Sequence, residues 1–431
     1  MAAAEPMGES DRISALPIDI KISILSLLDL KDVIRTSALA RSWRPIWTLL
    51  PCLHLTEDLL GYRNEGITSD WMELAHHLVS SLRGPPVLFE FSQTFLSDQA
   101  PFVQRLLDLL LQKGGVEKLY LEFVCRPQLV NLPPFPSLKV LQLCHCHVLL
   151  PSGFQGFRSL ATLELDHVQI SNDHLNFLIH TSNKITTFLC SGFVTTQLPL
   201  SVNISLPLLT HLTFEIDDSI EKVLLTSAPL CLEQVDITTS NHIYATPKKF
   251  APVALGLLIS VATVSSLHFD TGILKCLSLV TLPYNFTFPR LRSVLFSFVV
   301  DTMDKTMYDA FFCLLRSMPF VEELNLMCSY QINRVEILKE ELLGKKRDGF
   351  SCLNQTLKSV KINMGNAMIG VILGKFFLLN AKVLKLMKFY YWKRFYTEPG
   401  MIEELQKAKI TSSNAKVVIL CCREGGTINI K

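Results

Sequence analysis

Apolar residues near the start of the chain recur at the spacing of an α-helix. Ile20, Ile24, Leu27 and Leu28 fall four, three and one residues apart and form one apolar stripe. Pro17 precedes this stripe at a place suited to the first turn of a helix, where its missing N–H has no intrahelical partner to lose. The pattern therefore predicts a first amphipathic helix.

Two further short helices are predicted before residue 52. Asp29 can end the first helix and cap the second, and Asp32 lies where a helix dipole favours a negative charge. Val33 begins a second, weaker apolar stripe, and Trp43 and Trp47 are four residues apart on one face of a third helix. Three such helices bury too little apolar surface to be robust alone. The stripe is completed either by the following domain or by a partner protein, and periodicity favours neither.

Beyond residue 110 the pattern L-x-x-L-x-L recurs, with alternate apolar residues on one side of a strand. Residues 138–148 match the full leucine-rich pattern. Early copies are 22 to 25 residues apart, within the usual range, and later steps of up to 36 indicate insertions or longer helices. The fourth positions of the copies are Leu119, Leu141, Leu163, Phe188, Leu212, Val235, Leu267, Val294, Leu324 and Val360.

These repeats predict an α/β leucine-rich-repeat solenoid over 116–345, with a parallel sheet on its concave face and helices outside. Residues 53–115 are interpreted as a linker and the start of the solenoid. The variable strand positions point to solvent, and together they form a surface on which a partner protein would bind. Each of them alone is explained better by ordinary solvated surface. We expect this surface to include Lys139, Gln142, Glu164, Thr213, Asp236 and His268.

Composition narrows the class of protein. Of 431 residues, 49% are hydrophobic and 19% charged, which excludes global disorder. The net charge is +2 without a basic stripe, so no nucleic-acid partner is expected, and the triplet at 345–347 is interpreted as a solvated loop. Residues 1–10 are interpreted as a disordered tail without a secretory signal.

The twelve cysteines show no CxxC pair and lie mostly in apolar runs such as the one around Cys313. This usage predicts buried, reduced thiols in a cytoplasmic or nuclear protein. Residues 250–269 carry no formal charge and have the length of a membrane span. Their polar residues and the strand-like alternation of 264–269 instead predict a buried helix followed by a strand, and no membrane partner.

Motifs of catalysis and metal binding are incomplete. Residues 370–375 lack the spacing and the Ser or Thr of a phosphate loop. In a continuous strand, Cys144 and Cys146 would face away from His145 and His147, so the four could not hold one metal ion. We therefore expect no cofactor, no metal and no enzymatic activity, although a nucleophile assembled by tertiary structure leaves no trace in sequence.

One segment is similar to a known family. The order Leu16-Pro17, Asp19-Ile20, Ile24-Leu25, Leu28, Leu30-Lys31-Asp32-Val33, Arg35-Thr36-Ser37, Ser42-Trp43-Arg44 and Trp47 resembles the F-box of plant proteins. The resemblance implies that residues 11–52 dock onto a Skp-type adaptor, which links them to the cullin and RING subunits of a ubiquitin ligase. The implied adaptor-facing residues are Leu16, Pro17, Ile20, Ile24, Leu25, Leu28, Val33 and Trp43. Ile18 and Pro45 depart from the family pattern.

The C-terminal residues 346–431 include Leu357-Lys-Ser-Val-Lys-Ile362, Asn380-Ala-Lys-Val-Leu-Lys-Leu-Met-Lys-Phe389 and Asn414-Ala-Lys-Val-Val-Ile419. With these segments the region resembles the FBD region of plant F-box/leucine-rich-repeat proteins. Their pattern predicts strand, helix, strand, then a final helix and strand, which would close the open end of the repeat array. The resemblances imply a non-catalytic, substrate-recognition subunit of an SCF-type ubiquitin ligase that binds an unknown client protein through its repeats. The alternative is a leucine-rich-repeat scaffold whose degenerate F-box no longer recruits a ligase.

Overall fold

A computed structural model describes residues 13–56, 69–94, 99–124, 126–192, 200–225, 231–240, 246–299, 304–329, 349–364, 367–391, 403, 405, 407–421 and 427–429. The predicted tail at 1–10 and the predicted loop at 345–347 lie outside these residues. So does most of the predicted final helix near Leu405.

The first two helices begin where the sequence predicts. Helix α1 spans Ile18–Leu25 and follows directly on Pro17, whose carbonyl accepts a hydrogen bond from the Lys21 N–H at 3.1 Å. Helix α2 spans Leu30–Thr36, and the Asp29 carboxylate accepts a hydrogen bond from the Asp32 N–H at 2.8 Å. This contact confirms the predicted N-cap of α2.

The third predicted helix is shorter than expected. It is a 3₁₀ helix, Ile46–Leu49, and Trp43 lies in the turns before it. Pro45 occupies its N-cap position, and the Pro45 carbonyl accepts a hydrogen bond from the Thr48 side chain at 2.6 Å. The prediction that Trp43 and Trp47 share one helix is therefore wrong, because Pro45 has no N–H to continue a helix through this point.

The remaining elements alternate strands with helices or loops. The remaining helices among the described residues are α3 (Ser69–Ser81), α4 (Ala100–Lys113), α5 (Asn172–Thr181), α6 (Pro247–Ser260), α7 (Thr271–Leu277), α8 (Lys305–Arg316), α9 (Ser351–Gln355) and α10 (Ala367–Asn380). The strands are β1 (Cys52–Thr56), β2 (Leu88–Gln93), β3 (Lys118–Phe123), β4 (Gln128–Asn131), β5 (Val140–Cys144), β6 (Cys146–Leu149), β7 (Thr162–Asp166), β8 (Gln169–Ile170), β9 (Thr187–Ser191), β10 (Leu200–Ile204), β11 (His211–Ile216), β12 (Ile220–Leu225), β13 (Gln234–Thr239), β14 (Ser266–Asp270), β15 (Ser293–Val299), β16 (Glu323–Ser329), β17 (Ser359–Met364), β18 (Leu386–Tyr391), β19 (Lys416–Cys421) and β20 (Thr427–Asn429).

The chain divides into two compact units. Unit 1 comprises 1–186 with 193–197, and unit 2 comprises 187–192 with 198–431. In unit 1 the strands β1, β2, β3, β5 and β7 pair in parallel in that order, and β4, β6 and β8 form a second parallel sheet. In unit 2 the parallel order runs β9, β11, β13, β14, β15, β16, β17, β18, β19, with β20 antiparallel at the end.

Strand register confirms the repeats. The fourth motif positions pair with one another, Leu119 with Leu141 and Leu141 with Leu163, and in unit 2 from Phe188 through to Val360. These side chains are all buried. Successive repeats therefore stack one apolar ladder on the next, which is how such units complete their core.

The parallel sheets extend beyond the predicted repeat region at both ends. Strands β1 and β2 precede residue 116 and pair with β3, and β18 and β19 continue the order after residue 345. The signal for β1 was present, since residues 50–55 read L-x-x-L-x-L, but it overlaps the F-box pattern. Strand β2 has Pro86 at the first motif position and phenylalanines at the fourth and sixth positions. It therefore does not match a pattern that is defined by leucines.

Two apolar segments are buried helices. Residues 250–269 form most of α6, a turn and nearly all of β14, so the predicted helix followed by a strand is confirmed. Among the described residues, none of the helices has both the length and the apolar character of a membrane span. Residues 370–375 lie within α10, where Gly374 sits against Phe389 on the buried side of β18. Six of the described cysteines are buried, but Cys313, within the run that suggested burial, is exposed on α8.

Candidate docking surfaces

The N-terminal helices enclose a small core of their own. Leu25, Val33 and Trp43 pack with Ile46 and Leu50, and all five side chains are buried. Helix α1 turns the face that carries Leu25 towards this core. The predicted apolar stripe of α1 therefore does not face the core.

Lys21 completes this core from α1. Its ammonium donates a hydrogen bond to the Ser14 carbonyl at 2.7 Å and lies 5.5 Å from the ring centre of Trp43. Although the lysine is almost fully buried, its charge thus has a carbonyl and an aromatic face as partners. The contact fixes Trp43 without a third α-helix.

Burial changes the role of three predicted adaptor-facing residues. Leu25, Val33 and Trp43 expose 0%, 1% and 4% of their surface. In this conformation they hold the N-terminal core together and support the surface above it, so their direct contact with an adaptor stays a prediction.

The other predicted positions remain at the surface. Ile20, Ile24 and Leu28 expose 44%, 39% and 43%, Pro17 is exposed, and Leu16 is half-buried. The apolar stripe is thus not covered by the described part of the following domain, which favours burial against a partner over a purely capping role. Leu27, the fourth member of the predicted stripe, is also exposed. Four further exposed apolar residues of this module were not predicted to face a partner: Ile13, Ile18, Ile34 and Leu39.

A second surface lies on the solvent-facing side of the unit 1 sheet. Glu90, Tyr120, Gln142 and Glu164 stand side by side in one row across β2, β3, β5 and β7. The predicted partner residues Gln142 and Glu164 therefore belong to one face. Lys139 lies before β5 and is engaged, because its ammonium forms an ion pair with Glu117 at 2.8 Å.

The ends of β5 and β7 carry an unusual pair of histidines. His145 and His167 both have positive φ angles, 53° and 51°, and their rings stack with centroids 4.7 Å apart. Cys144 lies beside them, with Sγ 3.0 Å from His145 Nδ1 and 3.4 Å from a carboxylate oxygen of Asp166. Burial, with the hydrogen bond to Asp166, raises the pKa of Cys144 to about 12, so this thiol is not a reactive thiolate.

The Cys-His-Cys-His run at 144–147 does not form the continuous strand that the sequence analysis assumed. The left-handed backbone at His145 separates β5 from β6, so residues 144–147 are not one continuous strand. Cys146 is buried, while Cys144 contacts His145. Among the described residues no group of three or more histidine, cysteine or acidic side chains is arranged to hold a metal ion.

The remaining predicted partner residues are neighbours in unit 2. Thr213, Asp236 and His268 occupy one row across β11, β13 and β14. Asp236 accepts hydrogen bonds from Thr213 at 3.4 Å and from Gln234 at 3.1 Å, and its other oxygen lies 3.5 Å from His268 Nδ1. Burial opposes ionisation of Asp236, but the hydrogen bonds from His268, Gln234 and Thr213 outweigh it and lower the pKa of this carboxyl.

The row continues to a serine. His268 Nε2 lies 2.8 Å from Ser297 Oγ, which places Asp236, His268 and Ser297 in the order used by serine hydrolases. Catalysis also requires N–H donors aimed at an oxyanion. Around Ser297 the strands pair on both sides, β14 with β15 and β15 with β16, so their N–H groups serve the ladder. We therefore interpret this row as a hydrogen-bonded surface.

Comparison with known proteins bears on both surfaces. The model of the F-box domain matches residues 13–55, and the model described as "FBD-associated F-box protein At5g56370, LRR repeats" matches residues 103–250. Residues 13–55 thus match the F-box family, and residues 103–250 match the leucine-rich repeats of an F-box-associated family. The F-box match covers the N-terminal core and its exposed apolar residues, and the repeat match covers β3 to β13 and the start of α6.

Several Arabidopsis thaliana proteins are similar to part of this chain. F-box/FBD/LRR-repeat protein At1g13570 is 32% identical over 178 residues, which is 40% of this chain and 42% of that protein. F-box/LRR-repeat protein At2g42720 is 30% identical over 181 residues, 38% of this chain and 39% of that protein. The matched part thus spans about two fifths of these relatives. The two family matches do not include 346–431, so the FBD-like region stays a prediction.

Proposed function

We propose that this chain is the substrate-recognition subunit of an SCF-type ubiquitin ligase. Its F-box binds a Skp-type adaptor, its repeat sheet binds a client protein, and the cullin and RING subunits supply the ubiquitin-transfer machinery. The chain itself performs no chemistry in this role and needs no cofactor. The reducing compartments in which such ligases act, cytoplasm and nucleus, suit its buried free thiols.

The exposed apolar side chains of the F-box carry the proposal. Ile20, Ile24 and Leu28 lie on a module matched by the F-box family, and their side chains remain in water in the isolated chain. Burying a fully exposed isoleucine or leucine contributes about 1.5–3 kcal/mol. These three side chains still expose about two fifths of their surface, so an adaptor that covers all three gains roughly 2–4 kcal/mol from them. Beneath them the core of Leu25, Val33 and Trp43 keeps the surface in place.

The departures from the family pattern are compatible with this surface. Pro45 lies before the 3₁₀ helix, where no N–H is required, and Ile18 opens α1 as one more exposed apolar residue. Neither substitution disturbs the core.

Co-purification tests the adaptor role. The tagged full-length chain is expected to retain a Skp-type adaptor, and the double substitution Ile24→Glu with Leu28→Glu is expected to lose it. Leu208→Glu is the matched control, because Leu208 is about as exposed but lies on a turn in unit 2. Loss of adaptor from the control as well, or retention by the double variant, contradicts the proposal.

The scaffold alternative predicts a different cellular outcome. If the chain is a ligase receptor, its removal raises the level of its client, and restoring the Ile24→Glu/Leu28→Glu variant does not lower that level again. If the chain is a scaffold, client levels stay unchanged while the complex with the client persists.

A further inference from the structure

The solvent-facing side of the unit 1 sheet has a clear charge preference. Glu90 on β2, Glu122 on β3, and Glu164 and Asp166 on β7 all project from outward strand positions. The one lysine or arginine on the same face of the described strands is Lys118, at the start of β3. Adjacent strands are about 4.8 Å apart, so Glu90 and Glu164 are separated by roughly 14 Å and Glu122 and Asp166 by roughly 10 Å.

The local partners of these carboxylates are histidines, a hydroxyl and a thiol. Glu90 is hydrogen-bonded to His54, and Glu122 accepts a hydrogen bond from the Ser92 hydroxyl at 2.7 Å. Asp166 is hydrogen-bonded to His167 at 2.8 Å and to the Cys144 thiol at 3.4 Å. Among the described residues, no lysine or arginine lies within ion-pair distance of Glu90, Glu122 or Glu164. Negative potentials from neighbouring carboxylates add up when no cation lies between them.

Two groups on this face respond to that potential. The pKa of Tyr120 is raised, first by burial and then by the charges of Glu164 and Glu90. The pKa of Cys144 is raised by burial, by its hydrogen bond to Asp166, and further by the charges of Asp166 and Glu122. An incoming positive charge would be stabilised by the same field.

A cleft gives the face its shape. It has a volume of about 210 Å³ and is lined by the side chains of Glu90, Ser92, Tyr120, Glu122, Gln142 and Cys144. Small-molecule sites usually measure about 300–1,000 Å³, so the cleft suits a single long side chain better than a cofactor or hormone-sized ligand. The phenol ring of Tyr120 between carboxylates is an arrangement that attracts ammonium and guanidinium groups.

We propose that this face binds a basic segment of the client, with one lysine or arginine side chain seated over Tyr120 between Glu90 and Glu122. Glu164 binds a second cationic residue of the same segment. The inference rests on the proposed receptor function and adds the chemical class of the client. It also separates the two rows of predicted partner residues, because it assigns Gln142 and Glu164 to the basic segment and leaves the Thr213–Asp236–His268 row unassigned.

Fluorescence anisotropy of the full-length chain tests the proposal. The probe is a fluorescein-labelled peptide of alternating glycine and lysine, and a peptide of alternating glycine and glutamate is the comparison. We expect the lysine peptide to bind and the glutamate peptide not to bind. Affinity should fall by at least tenfold between 50 and 300 mM salt, because partly exposed charges are screened over a shorter distance at higher ionic strength.

Substitutions locate the binding. Glu90→Gln together with Glu122→Gln should weaken the lysine peptide at least tenfold, and Tyr120→Leu should weaken it several-fold. Glu73→Gln removes the same charge from an exposed position on α3 and should leave affinity unchanged. Unchanged binding by the double variant, or equal weakening by Glu73→Gln, overturns the proposal. Binding of calcium ions that the double variant loses, without peptide binding, overturns it in favour of a small cation.

A stability measurement separates binding from structure. Removing two like charges relieves repulsion, so the double variant should unfold at a midpoint equal to or above that of the unsubstituted chain. The double variant should also retain the Skp-type adaptor, whereas Ile24→Glu/Leu28→Glu should retain the peptide. These two results distinguish failure of the proposed peptide binding from failure of the receptor role. A lower unfolding midpoint for Glu90→Gln/Glu122→Gln would contradict the proposed peptide site.

Discussion

Two helical glycines have opposite surroundings. At Gly374 in α10, a Cβ atom would lie 2.6 Å from ring atoms of Phe389, which is fully buried in β18. At Gly256 in α6, no atom lies within 4 Å of the same position. The first glycine permits a helix to approach a sheet closely, and the second is only a weak helix former.

Alanine at the two glycines should therefore act in opposite directions. Gly374→Ala overpacks the core and should destabilise the chain by about 1–3 kcal/mol. Gly256→Ala should stabilise it by about 0.5–1 kcal/mol through helix propensity. Urea unfolding of the two variants checks this, and a stabilising Gly374→Ala would show that α10 and β18 are not packed as described.

Adjacent residues of α1 also differ in what they contact. Ile24 faces water and Leu25 lies in the N-terminal core. We expect Ile24→Glu to leave the thermal unfolding midpoint and circular dichroism almost unchanged while it removes adaptor binding. Leu25→Glu should unfold the F-box, because it places an unpaired charge in an apolar core. If the two variants had the same midpoint, the assignment of buried and exposed faces would be wrong.

At the scale of elements, α8 is held by a charged N-cap. Asp304 accepts hydrogen bonds from the Met307 N–H at 3.0 Å and from the ammonium of Lys275 on α7 at 2.6 Å. Burial opposes ionisation, but the hydrogen bonds from Lys275, Thr306 and Met307 outweigh it and lower the pKa of Asp304 to about 2. The ion pair between Lys275 and Asp304 thus links α7 to the N-terminus of α8.

The pKa of Asp304 gives this contact a pH dependence. An unfolded aspartate titrates near pH 3.9, as a rough reference value. Because the folded pKa is lower, the stabilisation is complete above that value and is lost as pH falls towards 2. Asp304→Asn keeps a capping oxygen but cannot titrate. The gap between the unfolding midpoints of the original chain and this variant should shrink from pH 5 to pH 2.5, and a constant gap would contradict the assignment.

At the scale of the whole molecule, the F-box and the repeats share a strand. The F-box match ends at residue 55, within β1, and β1 pairs with β2 at the edge of the unit 1 sheet. The Pro51 carbonyl also accepts hydrogen bonds from the N–H groups of Val87 and Leu88. The module is therefore not a bead on a linker but continuous with the sheet.

Truncations at the two ends of β1 test this continuity. Deletion of 13–56 removes β1 and leaves the edge of β2, with Phe89 and Phe91, without its neighbour. It should lower the unfolding midpoint and promote aggregation, since an uncovered strand edge can pair with other chains. Deletion of 13–49 keeps β1 and should be milder. Equal behaviour of the two truncations would indicate that β1 adds nothing to the sheet.

Local patterns made most of the repeat strands predictable. Alternation in L-x-x-L-x-L is set by a few neighbouring residues, and every predicted fourth position lies in a strand. The motif also aligns Tyr120, Gln142 and Glu164 at one position, so their shared row was accessible from sequence. The place of Glu90 in this row could not be predicted from the sequence, because β2 lacks the leucines of the motif.

Other features depended on packing that spacing does not encode. The helical stripe of α1 suggested burial at Ile20 and Ile24, yet the core formed around Leu25, because Trp43 reaches α1 from a turn rather than from a helix. The left-handed backbone at His145 likewise separated two strands that an alternating pattern joins. The turn that holds Trp43 and the left-handed backbone at His145 both depart from regular helix or strand geometry. Periodicity alone does not detect such departures.

The most direct test of the receptor role is calorimetric titration of the purified full-length chain with a purified Skp-type adaptor. We expect one adaptor to bind per chain, with a negative heat-capacity change from burial of the F-box isoleucines and leucine. The variant Ile24→Glu/Leu28→Glu should lose binding, and the control Leu208→Glu should keep it. Absence of binding by the folded, unsubstituted chain would contradict it.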